Sequence, residues 1–358
     1  MEKWRRCLEV RKPDVLLVLC TIRFYQDLFS ALLYLCEIIV GCVFAKKVAE
    51  IFRNIDKTDD MLRGLKICIS YKRTHIMIII YITVAFVGVG VILSLLITTE
   101  LFLACYSSQL PNILVEILSY YLPCVANALT ELQYFQYLNF LRLRYKKLNK
   151  CLLESTELTP CKIDYELVST IRLVHPKPAK QETANDPLYI INQVTKIHMI
   201  LTDTARLTNK TFCFQQLLKI AISFVSIIAG LFLFAMVFAV KDPSKLRIDK
   251  LFFLWTLSNA LEIFVVVWIS AETCKEANEC PIILHRIRNS SANEDLKSLI
   301  DLHSLQMYHS KLSFSVCGLF PLDYSLLFSV VAGATTYLII LIQFNVDMVK
   351  IYDNQTVH

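Results

Sequence analysis

"TTYLIILIQF", residues 335–344, is an apolar run that opens on two threonines and a tyrosine and closes on a glutamine and a phenylalanine. Wound as a helix, it places Thr336, Ile340, Gln343 and Asp347 at steps of four, three and four, on one narrow face. Tyr337, Leu341 and Phe344 share the neighbouring face. A glutamine in hydrocarbon is costly unless it faces water or bonds across a helix interface, and the run alone does not decide which Gln343 does.

The rest of the chain makes this a membrane question. Of its 358 residues, 55% are hydrophobic and only seven are glycine, and the mean hydropathy is positive. Crossing a hydrocarbon core of roughly 30 Å takes about 20 apolar residues. Six stretches qualify, at 28–45, 76–98, 113–138, 213–240, 251–270 and 313–347. All read as helices, because lipid tolerates no unpaired backbone. A seventh candidate, "PDVLLVLCTIRFY" at 13–25, is short and interrupted by Arg23. The fold class is therefore all-α: a polytopic membrane protein with six clear spans plus a weak or truncated first one.

No cleavable leader is expected in "MEKWRRCLEVRKPD". The thirteen cysteines fall mostly in spans or cytoplasmic segments and read as free thiols, with Cys105 in an extracellular loop. The net charge of +6 calls for no nucleic acid, since basic membrane loops account for it.

Those loops also orient the chain. The interval 46–75 carries Lys46, Lys47, Arg53, Lys57, Arg63, Lys66, Lys72 and Arg73, and 139–212 is similarly basic, whereas 100–112 holds neither lysine nor arginine. Basic loops stay in the cytoplasm. A short loop with Lys241, Lys245, Arg247 and Lys250 opposes this orientation but is outvoted. A basic amino terminus inside and a carboxyl terminus outside require an odd number of spans, which favours seven.

The layout is then an amino-terminal region with the weak first span and the second (1–45), a cytoplasmic loop (46–75), and spans three and four (76–138). A cytoplasmic helical extension and loop follow (139–212), then spans five and six (213–270), a cytoplasmic loop (271–312), the last helix (313–347) and an extracellular tail (348–358). In the extension, Leu138, Leu141, Tyr145, Leu148 and Leu152 make an apolar stripe between basic faces. It suits either a helix lying on anionic headgroups or one packed against partner helices.

Enzyme chemistry finds no foothold, and no cofactor or metal is expected. "GVGVIL", 88–93, lacks a third glycine and lies in a span; His303 and His309 are six apart; no serine sits in a nucleophile elbow. What remains are polar groups inside spans. Trp255, Asn259 and Glu262 share a helix face, Glu116, Tyr120, Asn127 and Glu131 form a second stripe, and Tyr34 and Glu37 sit on a third helix. Singly, each suits an interhelical hydrogen bond. Together they suit an apolar pocket with convergent polar groups, with Glu116, Tyr120, Asn127, Trp255, Asn259 and Glu262 as its ligand-binding residues.

The stretch 302–344, "LHSLQMYHSKLSFSVCGLFPLDYSLLFSVVAGATTYLIILIQF", resembles the carboxyl-terminal region of insect gustatory receptors. Their last helix carries Thr-Tyr, five mostly apolar residues and Gln-Phe, here Thr336, Tyr337, 338–342, Gln343 and Phe344. "GLFPLD", 318–323, is similar to the segment that begins that helix, and "FLRLRYKKLNKCL" to the basic helix after the fourth span.

The resemblance implies the seven-helix insect chemoreceptor fold and a tastant-gated, poorly selective cation channel in the plasma membrane of sensory dendrites. It implies a homo- or hetero-tetramer with other gustatory receptors, with membrane lipid, permeating cations and a small-molecule tastant as partners. The last helix of each subunit would line the pore through Thr336, Ile340, Gln343, Phe344 and Asp347, with Ile340 closing it by dewetting. Sugar-sensing members place glutamate directly after the Thr-Tyr pair; here that residue is Leu338, which points to bitter or other non-sugar plant compounds. A G-protein-coupled receptor would have the opposite orientation, and a transporter would show an internal repeat; "DRY" and "NPxxY" signatures and a repeat are all missing from the sequence.

Overall fold

The computed structural model describes residues 13–67, 69, 72, 76, 79, 80, 82, 83, 87, 110–156, 187–239 and 246–355. Six helices and a two-stranded hairpin have described bounds, in the order α1 (Pro13–Gly64), α2 (Leu110–Thr156), α3 (Pro187–Ala239), α4 (Leu246–Ser290), α5 (Glu294–His309), β1 (Ser315–Val316), β2 (Phe320–Pro321) and α6 (Tyr324–Gln355), and the described residues between 72 and 87 are helical as well. Among the described residues, three helices are long and apolar enough to cross a membrane by hydropathy alone, over Leu188–Phe232, Phe253–Ser290 and Tyr324–Gln343. Most of the 76–98 span and Cys105 lie outside the described residues.

Helix length explains the architecture. The 52 residues of α1 and the 53 of α3 extend about 80 Å each at 1.5 Å per residue. That is more than twice the hydrocarbon thickness, so the helices run out of the membrane and pack again beyond it. The stripe of Leu138, Leu141, Tyr145, Leu148 and Leu152 is fully buried in this second bundle, against Ile197, Leu201 and Leu284 among others. Of the two readings of the stripe, the structure selects packing against partner helices. Polar groups tie the bundle: Tyr145 Oη lies 3.0 Å from Thr202 Oγ1, Asn149 Nδ2 donates to the Glu276 carbonyl at 2.8 Å, and His198 Nε2 lies 2.9 Å from the Ala277 carbonyl oxygen.

Several boundaries differ from the sequence reading. The interval 46–75 is helical as far as Gly64, and 271–312 contains the rest of α4 and all of α5. Charged side chains on the outer faces of these helices lower the hydropathy without breaking the helix. The candidate 13–25 is likewise not set apart from 28–45: both lie on α1 with no turn between them. The last span begins at Tyr324 rather than 313, because 313–323 folds as the hairpin and a cap. Cys317 (φ 50°) and Gly318 (φ 74°) form the hairpin turn, and Asp323 Oδ1 accepts from the Ser325 backbone N–H at 2.9 Å, capping α6. The "GLFPLD" motif is thus a turn followed by a helix start.

Helices α3 and α4 approach closely at Gly230. A Cβ added there would lie 1.7 Å from Thr256 Oγ1 and 3.0 Å from Thr256 Cβ. Turning the threonine cannot relieve both contacts, so Gly230→Ala is expected to destabilise the protein by about 1–3 kcal/mol. Thermal unfolding in detergent checks this, with Thr256→Gly in the double variant restoring most of the loss.

Candidate functional site

Two features of the membrane half stand out, a polar cluster between helices and an uncovered last helix. The cluster is built from residues one helical turn apart. On α2, Asn127, Thr130 and Glu131 face inward; on α3, Gln215, Gln216 and Lys219 do so; α1 supplies Glu37 and α4 supplies Glu262. Thr130 Oγ1 donates to Glu37 Oε1 at 2.6 Å, and the Gln215 amide lies against the same carboxylate. Gln216 Nε2 reaches both oxygens of Glu131 at 3.4 Å. Lys219 Nζ pairs with Glu262 Oε2 at 3.1 Å and is near enough to Glu131 and Glu37 for its charge to act on both.

Three carboxylates and one ammonium are therefore gathered inside apolar helices, where charges persist only when paired or functional. The sequence reading anticipated Glu37, Asn127, Glu131 and Glu262 but missed Lys219, Gln215 and Gln216. Their signal was present, since "FQQLLKIAI", 214–222, places three strongly polar residues in an otherwise apolar span.

The predicted ligand stripe divides by depth. Asn259 is buried and donates from Nδ2 to the Trp255 carbonyl at 2.8 Å, within its own helix. Trp255 lies two turns from Glu262, about 10 Å along the axis at the α-helical rise. Glu116 and Tyr120 belong to the amino-terminal part of α2, and their side chains lie outside the described set, as do those of Phe344 and Asp347 on α6.

The last helix is attached along one seam. Leu326, Leu327, Val330 and Ala334 pack against Ile227, Ile263 and Val267, and Tyr337 meets Phe224 edge to face with ring centroids 6.4 Å apart. A Cβ on Gly333 would come within 3.0 Å of Phe224 Cζ, so the small pair Gly333-Ala334 sets how closely α6 lies on α3. The remaining faces are open. Phe328, Val331, Thr336, Ile339, Ile340, Ile342 and Gln343 are exposed. Only 11% of the apolar window of this helix is buried, against 39% for the windows of α3 and α4. Thr335 and Thr336 donate to the Val331 and Ala332 carbonyls at 2.8 and 2.9 Å, which satisfies their hydroxyls within the helix.

The profile of the 7tm chemosensory receptors matches residues 2–348. The chain belongs to this chemosensory receptor family. The Drosophila melanogaster protein carried under the name gustatory receptor 28a is 33% identical over 192 residues, 52% of this chain and 39% of that protein. The gustatory receptor for bitter taste 66a of the same fly is 27% identical over 159 residues, 43% of this chain and 30% of that protein. The matched stretch thus spans about two fifths or less of these two relatives. Among solved structures, the insect olfactory receptor OR5 from Machilis hrabei in complex with eugenol superposes with a TM-score of 0.62 at 12% identity, covering 90% of this chain and 80% of that one. This chemosensory receptor is a multi-pass membrane protein with the insect chemoreceptor fold, as the carboxyl-terminal motif implied.

Proposed function

We propose that this receptor is a ligand-gated, poorly selective cation channel assembled from four subunits, with α6 of each lining a central pore. The observation that carries the reading is the near-complete exposure of α6. A helix this apolar and this uncovered by its own chain needs other copies and lipid around it, and its Thr336, Ile340, Gln343 and Asp347 face supplies the polar stripe that a water-filled axis tolerates. Phe344 borders that face.

The small molecule enters from the extracellular side and is held by Glu116, Tyr120 and Trp255, with Asn127, Asn259 and Glu262 as the polar floor. Eugenol bound to the olfactory relative supports a small organic ligand, and the bitter-taste relative together with Leu338 after the Thr-Tyr pair supports a non-sugar one. The carboxyl terminus is placed outside the cell and the second bundle inside. Since α1 is a single helix, residue 13 then lies on the opposite side of the membrane from Gly64, and the inside start read from the sequence is not carried into this proposal.

Whole-cell recording against bitter alkaloids and sugars tests the reading. An alkaloid is expected to evoke a cation current and sucrose none. Trp255→Ala is expected to raise the half-maximal concentration on the order of tenfold, or about 1.4 kcal/mol, with the maximal current kept. Loss of surface expression across all six pocket variants would make these residues structural.

A further inference from the structure

The polar cluster holds more acceptors than its own donors satisfy. Glu37, Asn127, Gln215 and Gln216 are 8%, 7%, 6% and 3% exposed, so each side chain is more than nine-tenths buried. Yet Glu37 Oε2, Asn127 Oδ1, Gln215 Oε1 and Gln216 Oε1 accept no hydrogen bond. Buried oxygens of this kind are normally satisfied, because each orphan costs about 1–3 kcal/mol. All four orphans are oxygens, and they come from three helices that meet at Glu37: its Oε1 takes the Thr130 hydroxyl of α2, and the Gln215 amide of α3 lies beside it. Glu262 has Lys219 as its partner, so Glu37 and Glu131 remain as carboxylates facing only neutral donors and the shared field of Lys219.

We propose that these oxygens form a binding site for one small monovalent cation of the sodium type, beneath the organic-ligand pocket, with which it shares Asn127, and modulating the same receptor. One carboxylate oxygen with amide carbonyl oxygens is a hard, weakly charged donor set. It can replace the hydration shell of a monovalent ion much as carbonyl rings do in selective pores. A divalent ion fits poorly. Magnesium retains waters that this dry position does not admit, and calcium takes six to eight oxygens, usually from several carboxylates. Among the described residues no three acidic, histidine or cysteine side chains converge as metal ligands. Because the donors belong to α1, α2 and α3, a bound ion draws these helices together just above the point where they continue into the second bundle.

The test uses the purified full chain in detergent at fixed ionic strength and at two pH values, with sodium chloride compared with potassium chloride and N-methyl-D-glucamine chloride at each. Sodium is expected to raise the Tm saturably, by about 3 °C or more over N-methyl-D-glucamine. Glu37→Gln, which keeps shape and removes charge, is expected to abolish the increment; Asn127→Leu is expected to do the same and serves if the first variant does not fold. Equal Tm in N-methyl-D-glucamine and sodium, or a Tm that follows pH and not sodium, would overturn the proposal, the latter making the occupant a proton. This readout needs neither agonist nor current, so it stands or fails independently of the channel reading.

Discussion

Replacing Asp59 by alanine is expected to cost roughly 3–5 kcal/mol, the largest single loss of stability in the molecule. Asp59, near the end of α1, receives Arg144 of α2 through two parallel bonds, Nε to Oδ1 at 2.7 Å and Nη2 to Oδ2 at 2.5 Å. The two side chains are 5% and 3% exposed. A third N–H of Arg144 is taken by the Phe140 carbonyl at 2.9 Å, and the guanidinium lies over the Phe140 ring at 5.7 Å. Without Asp59, a permanently charged group stays buried against apolar neighbours. Thermal unfolding in detergent should show the loss, and Arg144→Lys should not be benign, because a single ammonium cannot make both bonds. The double variant Asp59→Leu with Arg144→Met should recover most of the stability, since an apolar pair carries no desolvation cost. Recovery would show that the pair locks the two helices at that level rather than driving their association.

The sequence made some of this legible and hid the rest for identifiable reasons. The stripe from Leu138 to Leu152 announced a helix with one apolar face, but only tertiary structure could say that the face meets protein and not headgroups. Hydropathy recorded residues 46–64 as a loop because their charges, Asp59 apart, lie mostly on the outside of a helix that continues through them. It recorded 313–323 as part of a span because Phe314, Val316 and Leu322 are apolar, although Gly318, Pro321 and Asp323 already signalled a turn and a cap. Glu37, Asn127, Glu131 and Glu262 were visible as polar residues in apolar segments. That Lys219 would stand among the three carboxylates was not, because no periodicity within one helix reports which residues of another helix share its depth.

The second large effect concerns the outer mouth of the proposed pore. Asp347 lies one turn beyond Gln343 on α6, so four subunits would present a ring of four carboxylates there. Such a ring concentrates cations and repels anions, and its reach in physiological salt is about 8 Å, which confines the effect to that mouth. Asp347→Lys is expected to reduce inward cation current on the order of tenfold and to shift the reversal potential toward that of chloride. The half-maximal agonist concentration should not move, since the pocket residues lie on other helices. Unchanged current and reversal potential would place this face of α6 against protein.

The claim that α6 lines the conduction path is tested most directly by modifying Gln343→Cys with a positively charged thiol reagent during agonist-evoked recording, with Leu338→Cys, off the proposed pore face, as the comparison. The account predicts that most of the Gln343→Cys current is lost as the reagent adds a fixed cation to the pore, while the Leu338→Cys current is preserved. A Gln343→Cys current that the reagent leaves intact, in a variant shown to be labelled, would contradict it.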